Sequence, residues 1–220
     1  LYPIRVKNTM TGESITLQLF VGVAASDVTN QRIGDYQIGR YPFRPLRNLL
    51  SYKNPTAFLE VTSENLNTRV SPHFTLKQFL CKQKSSFPKY LVLDHRLLLK
   101  LEHILEAVNK HGINTNTFHV MSGYRTPFYN KAIGNVQYSR HVYGDAADIF
   151  VDTNNDGNMD DLNKDGRIDI KDAHVLADIV ETLYPLDWYQ RFIGGLGRYR
   201  KTSAHPPFVH VDVRGHKARW

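Results

Sequence analysis

The sequence has a single cysteine and no long apolar run, and its basic residues are scattered along the chain. Cys81 stands alone in 220 residues, so no disulfide can form within the chain and the redox compartment stays open. The longest apolar runs fall far short of the roughly 20 residues that a membrane helix needs, so we expect no transmembrane segment. The 28 Lys and Arg residues are scattered, and we therefore expect no nucleic-acid partner.

What the sequence does contain is enough apolar material for a core and an uneven distribution of charge. Hydrophobic residues make up 41% of the chain, which is typical of a soluble globular protein. The net charge is +7, although residues 152–172 hold seven Asp against three basic residues. The remainder of the chain is therefore strongly basic, which favours attraction to an anionic polymer such as a bacterial cell wall.

The first 68 residues show short segments rich in β-branched and aromatic residues, with glycines where turns are expected. We predict a small β-domain over residues 1–68, for which a sandwich is one arrangement. Its role is unknown, and packing against the rest of the chain is a simpler interpretation than wall binding. The predicted strands are Ile4–Lys7, Ser14–Val23, Asp35–Tyr41 and Ala57–Thr62.

Residues 69–220 form the second predicted domain, and they combine helix and strand signals. A helix is predicted from Asp94, as its N-cap, to Lys110, with an apolar stripe on one face. An extended segment at residues 208–213 alternates, so His210 and Asp212 share one face while three valines take the other. The fold class expected for this domain is α+β.

Two histidines and one carboxylate on separate segments predict a metal site. His141, Asp148 and His210 could occupy three positions of a tetrahedral zinc ion and leave the fourth for water, as catalytic zinc requires. The alternative is that both histidines are surface or capping residues. The ordered combination with Arg125 favours the zinc site.

Three spaced motifs carry a resemblance to a known family. They are Ser-Gly-Tyr-Arg-Thr-Pro at 122–127, the pattern S-x-H-x-x-G-x-A-x-D at 139–148, and H-x-D at 210–212. Over about residues 70–220 the chain resembles the zinc D-Ala-D-Ala carboxypeptidase and murein endopeptidase family, whose metal-binding core is shared with the hedgehog signalling domain. The resemblance implies an antiparallel sheet with flanking helices.

The same resemblance implies roles for individual residues. The matching His141, Asp148 and His210 would bind zinc, and Arg125 would contact substrate, with Ser122, Tyr124 and Ser139 as further substrate-binding candidates. One position departs from the pattern. Many members carry an acidic catalytic base three residues before the last zinc histidine, where this chain has Pro207. We therefore expect Asp212 to be the general base, with His205 as the reserve candidate.

These observations lead to a functional expectation and one competitor. The resemblance implies a secreted zinc peptidase that hydrolyses peptide bonds of peptidoglycan at a D-amino acid, in the periplasm or outside the cell. Carboxypeptidase and endopeptidase action both remain open. The competitor is a metal-stabilised binding module that has lost catalysis, which Pro207 favours.

The acidic insert at residues 152–172 predicts calcium binding. Oxygen ligands at alternate positions, with a glycine at the sharp turn, suit a hard cation. The second copy of the pattern resembles a dockerin loop, and the first, overlapping copy resembles the calcium repeats of thrombospondin type. We expect at least one structural calcium ion, the alternative being a solvated acidic turn. The predicted ligands are Asp152, Asn154, Asp156, Asn158, Asp160, Asp161, Asn163, Asp165, Arg167, Asp169 and Asp172.

Asp172 and the glycine-rich stretch at residues 194–197 each predict a local structure. Asp172 is expected to cap a helix that follows the insert. The glycine-rich stretch at residues 194–197 is expected to be a tight turn beside the site, because no helix pattern follows it as a phosphate-binding loop would require.

Overall fold

Helices and short strands are mixed along the chain, and the computed structural model describes them over residues 2–220. The strands are β1 (Tyr2–Lys7), β2 (Ser14–Leu19), β3 (Val23–Ala24), β4 (Arg32–Ile33), β5 (Tyr36–Gln37), β6 (Ala57–Val61), β7 (Lys89–Leu91), β8 (His119–Ser122), β9 (Ala146–Phe150), β10 (Gly195–Tyr199), β11 (Phe208–Asp212) and β12 (Ala218–Arg219). The helices are α1 (Leu76–Phe79), α2 (His95–Lys110), α3 (Pro127–Ala132) and α4 (Ile170–Leu183). Over the described residues, no helix is both long enough and apolar enough to cross a membrane.

A five-stranded sheet organises the second half of the chain. Its order is β12-β10-β11-β9-β8, and every pairing is antiparallel except that between β10 and β12. The helices α2 and α4 pack on it, and the apolar stripe of α2 is fully buried at Leu97, Leu101 and Ile104. The predicted α+β class is confirmed.

Helix α2 has the predicted bounds because its ends are specified locally. The side chain of Asp94 accepts a hydrogen bond from the Arg96 N–H at 2.8 Å, which satisfies a donor that the first turn leaves free. Gly112 follows the last turn with φ of +84°, the left-handed conformation in which glycine is favoured. Helix α2 is thus a fixed support for the sheet.

The first 68 residues do not enclose a core of their own. Strand β6 pairs with β7, so one sheet crosses the predicted boundary at residue 68. Phe58 and Val61 share a buried cluster with Leu91 and Tyr124 from the other side. Several of the N-terminal strands are only two residues long and cannot cover a core alone. The suggested sandwich is therefore wrong; the region completes the core of its neighbour, and Leu1 lies outside the described residues.

The helix after the insert begins three residues earlier than predicted. Asp169 is the N-cap of α4, and Asp172 lies inside the first turn, where its side chain accepts the Asp169 N–H at 2.8 Å. The side chain of each aspartate accepts the backbone N–H of the other, which is the capping box found at helix N-termini. The expectation that Asp172 itself is the cap is wrong.

The glycine-rich stretch at 194–197 is mostly strand β10 rather than a tight turn. A Cβ on Gly194 would lie 1.8 Å from the carbonyl oxygen of Asp212, and one on Gly197 would lie 2.5 Å from the indole nitrogen of Trp220. Since real atoms do not approach that closely, these glycines are required by what packs on them. The predicted turn is therefore wrong. The segment is a strand in which the glycines leave room for Asp212 and Trp220 to pack against the backbone.

Candidate metal centre

The register of three neighbouring strands brings the predicted site together. Asp148 on the central strand β9 is the direct partner of His210 on β11 and of Ser122 on β8. Side chains of directly opposed residues lie on the same face and touch. One carboxylate is thereby placed between a histidine and the motif that carries Arg125.

His141 reaches the same point from a short 3-10 segment, Arg140–Tyr143. The next residue, Gly144, has φ of +72°, and a Cβ there would lie 2.2 Å from the carbonyl oxygen of Val92. Only glycine permits this close approach of two backbones. The tight passage fixes the position of the segment that carries His141.

The three predicted ligands converge on one point. The nearer oxygen of Asp148, Oδ1, lies 3.2 Å from Nε2 of His141 and 2.8 Å from Nδ1 of His210. Donor atoms around a tetrahedral zinc ion with bonds of about 2.0–2.1 Å are roughly 3.3 Å apart. Nε2 of His141 is also buried without a hydrogen-bond partner, which a bound cation would satisfy. This buried His-Asp-His group can hold a metal ion.

Each ligand is held from behind by a second group. Nδ1 of His141 donates to the Gly123 carbonyl at 2.7 Å, and Nε2 of His210 donates to Oδ2 of Asp212 at 3.2 Å. The outer oxygen of Asp148 accepts a bond from Nη2 of Arg125 at 2.7 Å. Such contacts select the ring nitrogen that faces the metal and fix the ring orientation. His141 would bind through Nε2 and His210 through Nδ1.

The charges of the three ligand side chains depend on one another. Burial alone would lower the pKa of His210, but its hydrogen bonds to Asp148 and Asp212 raise that pKa to about 9. Burial lowers the pKa of His141. Burial opposes ionisation of Asp148 as well, yet the two histidines hold its pKa well below the usual range. A metal binds the neutral form of a histidine ring, so protons compete with a metal for His210.

Asp212 occupies a different place from the one expected of a general base. Its side chain is fully buried, and besides His210 it accepts the Gly195 N–H at 2.8 Å and an ion pair from Arg214. It bonds Nε2 of His210, the nitrogen on the far side of the ring from the metal-facing Nδ1. These contacts suit Asp212 to orient the ring of His210, and its role as general base stays a prediction.

His205, the reserve candidate, also lies away from the three ligands. Its ring packs edge-on against Phe208 with centroids 4.9 Å apart, and it borders a neighbouring cavity of about 420 Å³ that shares Tyr199 with the metal cleft. It does not line the cleft that contains the three ligands. The role of His205 as the reserve base stays a prediction.

The residues expected to bind substrate divide into two groups. Arg125 and Ser139 line the cleft beside the metal ligands. Ser122 instead accepts a hydrogen bond from Nε of Arg125 at 2.8 Å and so positions that guanidinium. Tyr124 is 1% exposed, and its hydroxyl pairs with that of Tyr41 at 2.8 Å. Tyr124 is thus a core residue, and its predicted substrate contact is wrong.

The cleft has a volume of about 480 Å³, and its aromatic lining was not predicted from the sequence. The ring of Trp220 lies 5.2 Å from that of His210 and rests on the surface left bare by Gly197. Alternating glycines in a strand can indicate that a large side chain packs against the strand. The sequence around them did not indicate that this side chain is Trp220. The lining aromatic residues are Tyr52, Tyr138, Tyr199, Phe208 and Trp220.

A buried ion pair next to His141 was likewise missed. Arg140 and Asp145 pair directly, each 3% exposed or less, and the guanidinium of Arg140 stacks 4.2 Å over the ring of Tyr52. Burial raises the pKa of Asp145 to about 6, although Arg140 acts to lower it. The sequence did not indicate this contact, because Arg140 and Asp145 are five residues apart on a segment without a regular helix or strand pattern.

The acidic insert contains two copies of one turn, nine residues apart. Asp152 accepts the N–H groups of Asp156 and Gly157, at 3.0 and 3.1 Å. Asp161 accepts those of Asp165 and Gly166 in the same way, at 3.2 and 2.7 Å. The repeat seen in the sequence is therefore a repeat of conformation.

The remaining predicted calcium ligands are bonded within the insert or to the start of α4. Asn154 and Asn163 accept backbone N–H groups of Asp156 and Asp165, and the N–H groups of Asn158 and Arg167 donate back to the same two aspartates. Asp160 bonds Thr153, Asp169 bonds Lys171, and Asp172 bonds Leu162. Within residues 2–220 only the His141 group gathers three or more acidic, His or Cys ligands closely. Calcium binding stays a prediction.

Comparison with known proteins agrees with the site. Residues 72–169 match the family model described as Peptidase M15, which supports a relationship to the zinc peptidases of the M15 family. The matched range includes His141, Asp148 and Arg125, whereas His210 lies beyond it and is joined to the group by the sheet. No curated protein and no solved structure gave a significant match.

Proposed function

We propose that this protein is a zinc-dependent peptidase that hydrolyses peptide bonds of bacterial peptidoglycan at a D-amino acid. The observation that carries the proposal is the convergence of Nε2 of His141, Oδ1 of Asp148 and Nδ1 of His210 at the wall of an open cleft. The M15 match supports a metallopeptidase. The basic charge of the body supports an anionic wall polymer as substrate, with the cell envelope, periplasmic or extracellular, as the location.

The donor set fits zinc better than a hard cation. Two imidazole nitrogens and one carboxylate oxygen are the ligands of catalytic zinc sites, while calcium and magnesium prefer oxygen alone. Zinc in this position supplies a Lewis acid for the scissile carbonyl and lowers the pKa of a water molecule toward about 7.

Arg125 is the group that the chain offers to the substrate. Its Nε and Nη2 are engaged by Ser122 and Asp148, which fixes the plane of the guanidinium at the cleft wall. Nη1 has no protein partner among residues 2–220 and can donate to a substrate carboxylate or to the developing oxyanion. Arg125 both steadies Asp148 and binds substrate.

A catalytically inactive binding module is the second candidate, and one observation favours it. Among the described residues that line the cleft, Asp148 is the only carboxylate, and it faces the metal. No second acid in this lining could take a proton from water. This agrees with Pro207, which stands three residues before His210, where the related family often carries an acidic base. The module would keep its metal for stability.

Digestion of purified peptidoglycan, followed by mass spectrometry of the products, separates the two candidates. The peptidase should release fragments, lose activity with a zinc chelator and regain it when zinc is restored. Free D-alanine would indicate a carboxypeptidase, and separated muropeptides an endopeptidase. His141→Ala should be inactive, with His95→Ala as the matched control because that side chain is 83% exposed. A protein with one equivalent of zinc and no products would be the binding module.

We also propose that the insert binds calcium as a structural ion. Two equivalent turns present aspartate and asparagine oxygens at alternate positions, and both pass through left-handed residues, Asn155 and Lys164, at the same point. Oxygen-only donors suit calcium. The insert directly follows β9, so an ordered insert would steady the strand that carries Asp148.

A further inference from the structure

A groove lies beside the metal cleft, and the reaction as described does not use it. It has a volume of about 910 Å³, within the roughly 300–1,000 Å³ that is common for binding sites. One wall is the segment 39–43, which lies outside the range matched by the peptidase family. The opposite wall is helix α3 with residues 135 and 137.

The two walls are fastened together, so the groove is a built feature. The N–H of Phe128, on α3, donates to the carbonyl of Ile38 at 3.0 Å. Gly39 has φ of +84°, and a Cβ there would lie 2.4 Å from the Phe128 nitrogen. The backbones therefore touch at the floor, and only glycine allows this contact.

The groove is continuous with the metal cleft. Asn135 lines both cavities, and along the following residues Val136 and Tyr138 face the cleft while Gln137 faces the groove. This short segment is a shared wall. A ligand that passes Asn135 would occupy both spaces at once.

The lining of the groove is aromatic and amide-rich. Phe43 is 93% exposed and Phe128 is 44% exposed, so two ring faces are open to a ligand. Asn130 is 2% exposed; its Nδ2 donates to the Val136 carbonyl at 2.9 Å, which leaves Oδ1 as a buried acceptor without a partner. A buried acceptor without a partner costs free energy, so a ligand donor that reached Oδ1 of Asn130 from the groove would gain a hydrogen bond there.

Charge narrows the class of ligand further. Arg40 and Lys131 border the groove, and no carboxylate does. Within residues 2–220 the lining contains no strand of a sheet, so an extended peptide would find no backbone edge to pair with. Open ring faces, side-chain amides and an unpaired acceptor suit the apolar ring faces, hydroxyls and acetamido N–H groups of an amino sugar.

We propose that the groove binds the acetamido-sugar strand to which the peptide substrate is attached, the peptide passing Asn135 into the metal cleft. This inference rests on the proposed peptidase function and names the second half of its substrate. The sugar rings stack on Phe43 and Phe128, and an N–H or O–H of the sugar satisfies Oδ1 of Asn130. Carboxylates on the same polymer pair with Arg40 and Lys131.

Two measurements test the proposal. The first is the binding of a tetramer of N-acetylglucosamine to the intact protein, measured by NMR titration. The second is the ratio of hydrolysis of a sugar-linked peptide to that of the same peptide without sugar. Phe43→Ala combined with Phe128→Ala should abolish tetramer binding and lower the ratio about tenfold, the effect of roughly 1.4 kcal/mol of lost stacking. Phe87→Ala is the matched control, since Phe87 is 41% exposed and lines neither cavity.

The outcomes separate this inference from the function on which it rests. Tetramer binding that depends on the two rings, with no hydrolysis of either substrate, would keep the sugar groove and remove the peptidase. Normal hydrolysis without tetramer binding would overturn the groove alone. Equal losses on both substrates in the double variant would assign the groove to peptide and overturn the inference. Unchanged melting temperatures check that the variants fold.

Discussion

The metal centre and the acidic insert are both rich in carboxylates, but their carboxylates are held in place in different ways. In the metal centre, Asp148 is buried and contacts His210, 62 residues away in sequence. In the insert, Asp152 and Asp161 are bonded to N–H groups four and five residues ahead. The first geometry is imposed by a sheet and the second by local turns. A site built by a sheet can bind a metal without reordering the chain, whereas the proposed calcium would add order to turns that are held only locally.

The largest effect that separates the two regions should come from removing a ligand. His141→Ala and His210→Ala should each lose tightly bound zinc and all peptide hydrolysis, because each removes one of three donors. Folding should persist, because the pairing of β9 with β11 and the buried core hold the sheet together. Metal analysis and product assays check this. Retention of one equivalent of zinc by both variants would show that the metal lies elsewhere.

The next largest effect should come from the ion pair that supports the segment of His141. Arg140→Ala leaves Asp145 buried without its partner, and we expect a loss of about 3–5 kcal/mol in the free energy of unfolding. Urea denaturation measures it. Arg198→Ala is the control, because its partner Asp178 is 71% exposed and surface pairs contribute about 0–1 kcal/mol. Equal effects would mean that Arg140 is not an enclosed structural cation.

A smaller effect should distinguish orientation from chemistry at Asp212. Asp212→Asn should weaken zinc binding about 10–100-fold, since it disturbs the bond that orients His210, and activity should return at saturating zinc. Zinc titration with parallel activity measurements checks this. A variant that is full of zinc and still inactive would support Asp212 as the general base.

Asp212 also shows how far the sequence could predict the site. Alternation along residues 208–213 placed His210 and Asp212 on one face, and the structure agrees. It could not show which nitrogen of His210 faces the metal, because that depends on Asp148 across the sheet. Helix α2 was predicted to the residue because its cap and apolar stripe are local. The pairing of β6 with β7 was not, because it joins segments about 30 residues apart.

The stability of the protein should also depend on pH through a buried lysine behind the metal centre, a dependence that the exposed insert does not share. Lys100 is fully buried and donates to the Asp212 carbonyl at 2.8 Å, and burial lowers its pKa to about 7. The unfolded chain, with a lysine pKa of about 10.4, therefore binds more protons between pH 7 and that value. Stability should consequently rise with pH across this window, by at most about 1.4 kcal/mol per unit.

Lys100→Met should flatten that rise, as followed by urea denaturation from pH 7 to 9.5. Lys110→Met is the control, because its side chain is 72% exposed. An unchanged slope in Lys100→Met would mean that Lys100 stays charged, held by the carbonyls of Phe192 and Asp212.

The smallest effect should come from calcium at the insert. A tenfold excess of calcium over its dissociation constant should stabilise the folded protein by about 1.4 kcal/mol, because the ion binds the folded state alone. Differential scanning calorimetry, with zinc held constant, measures the shift. Asp161→Asn should reduce the response, since it removes charge at the first position of the second turn, whereas Asp178→Asn, exposed on α4, should not. If calcium leaves the melting temperature of the wild type unchanged, the hydrogen bonds of the turns alone maintain the insert, and the two regions differ in needing a cation at all.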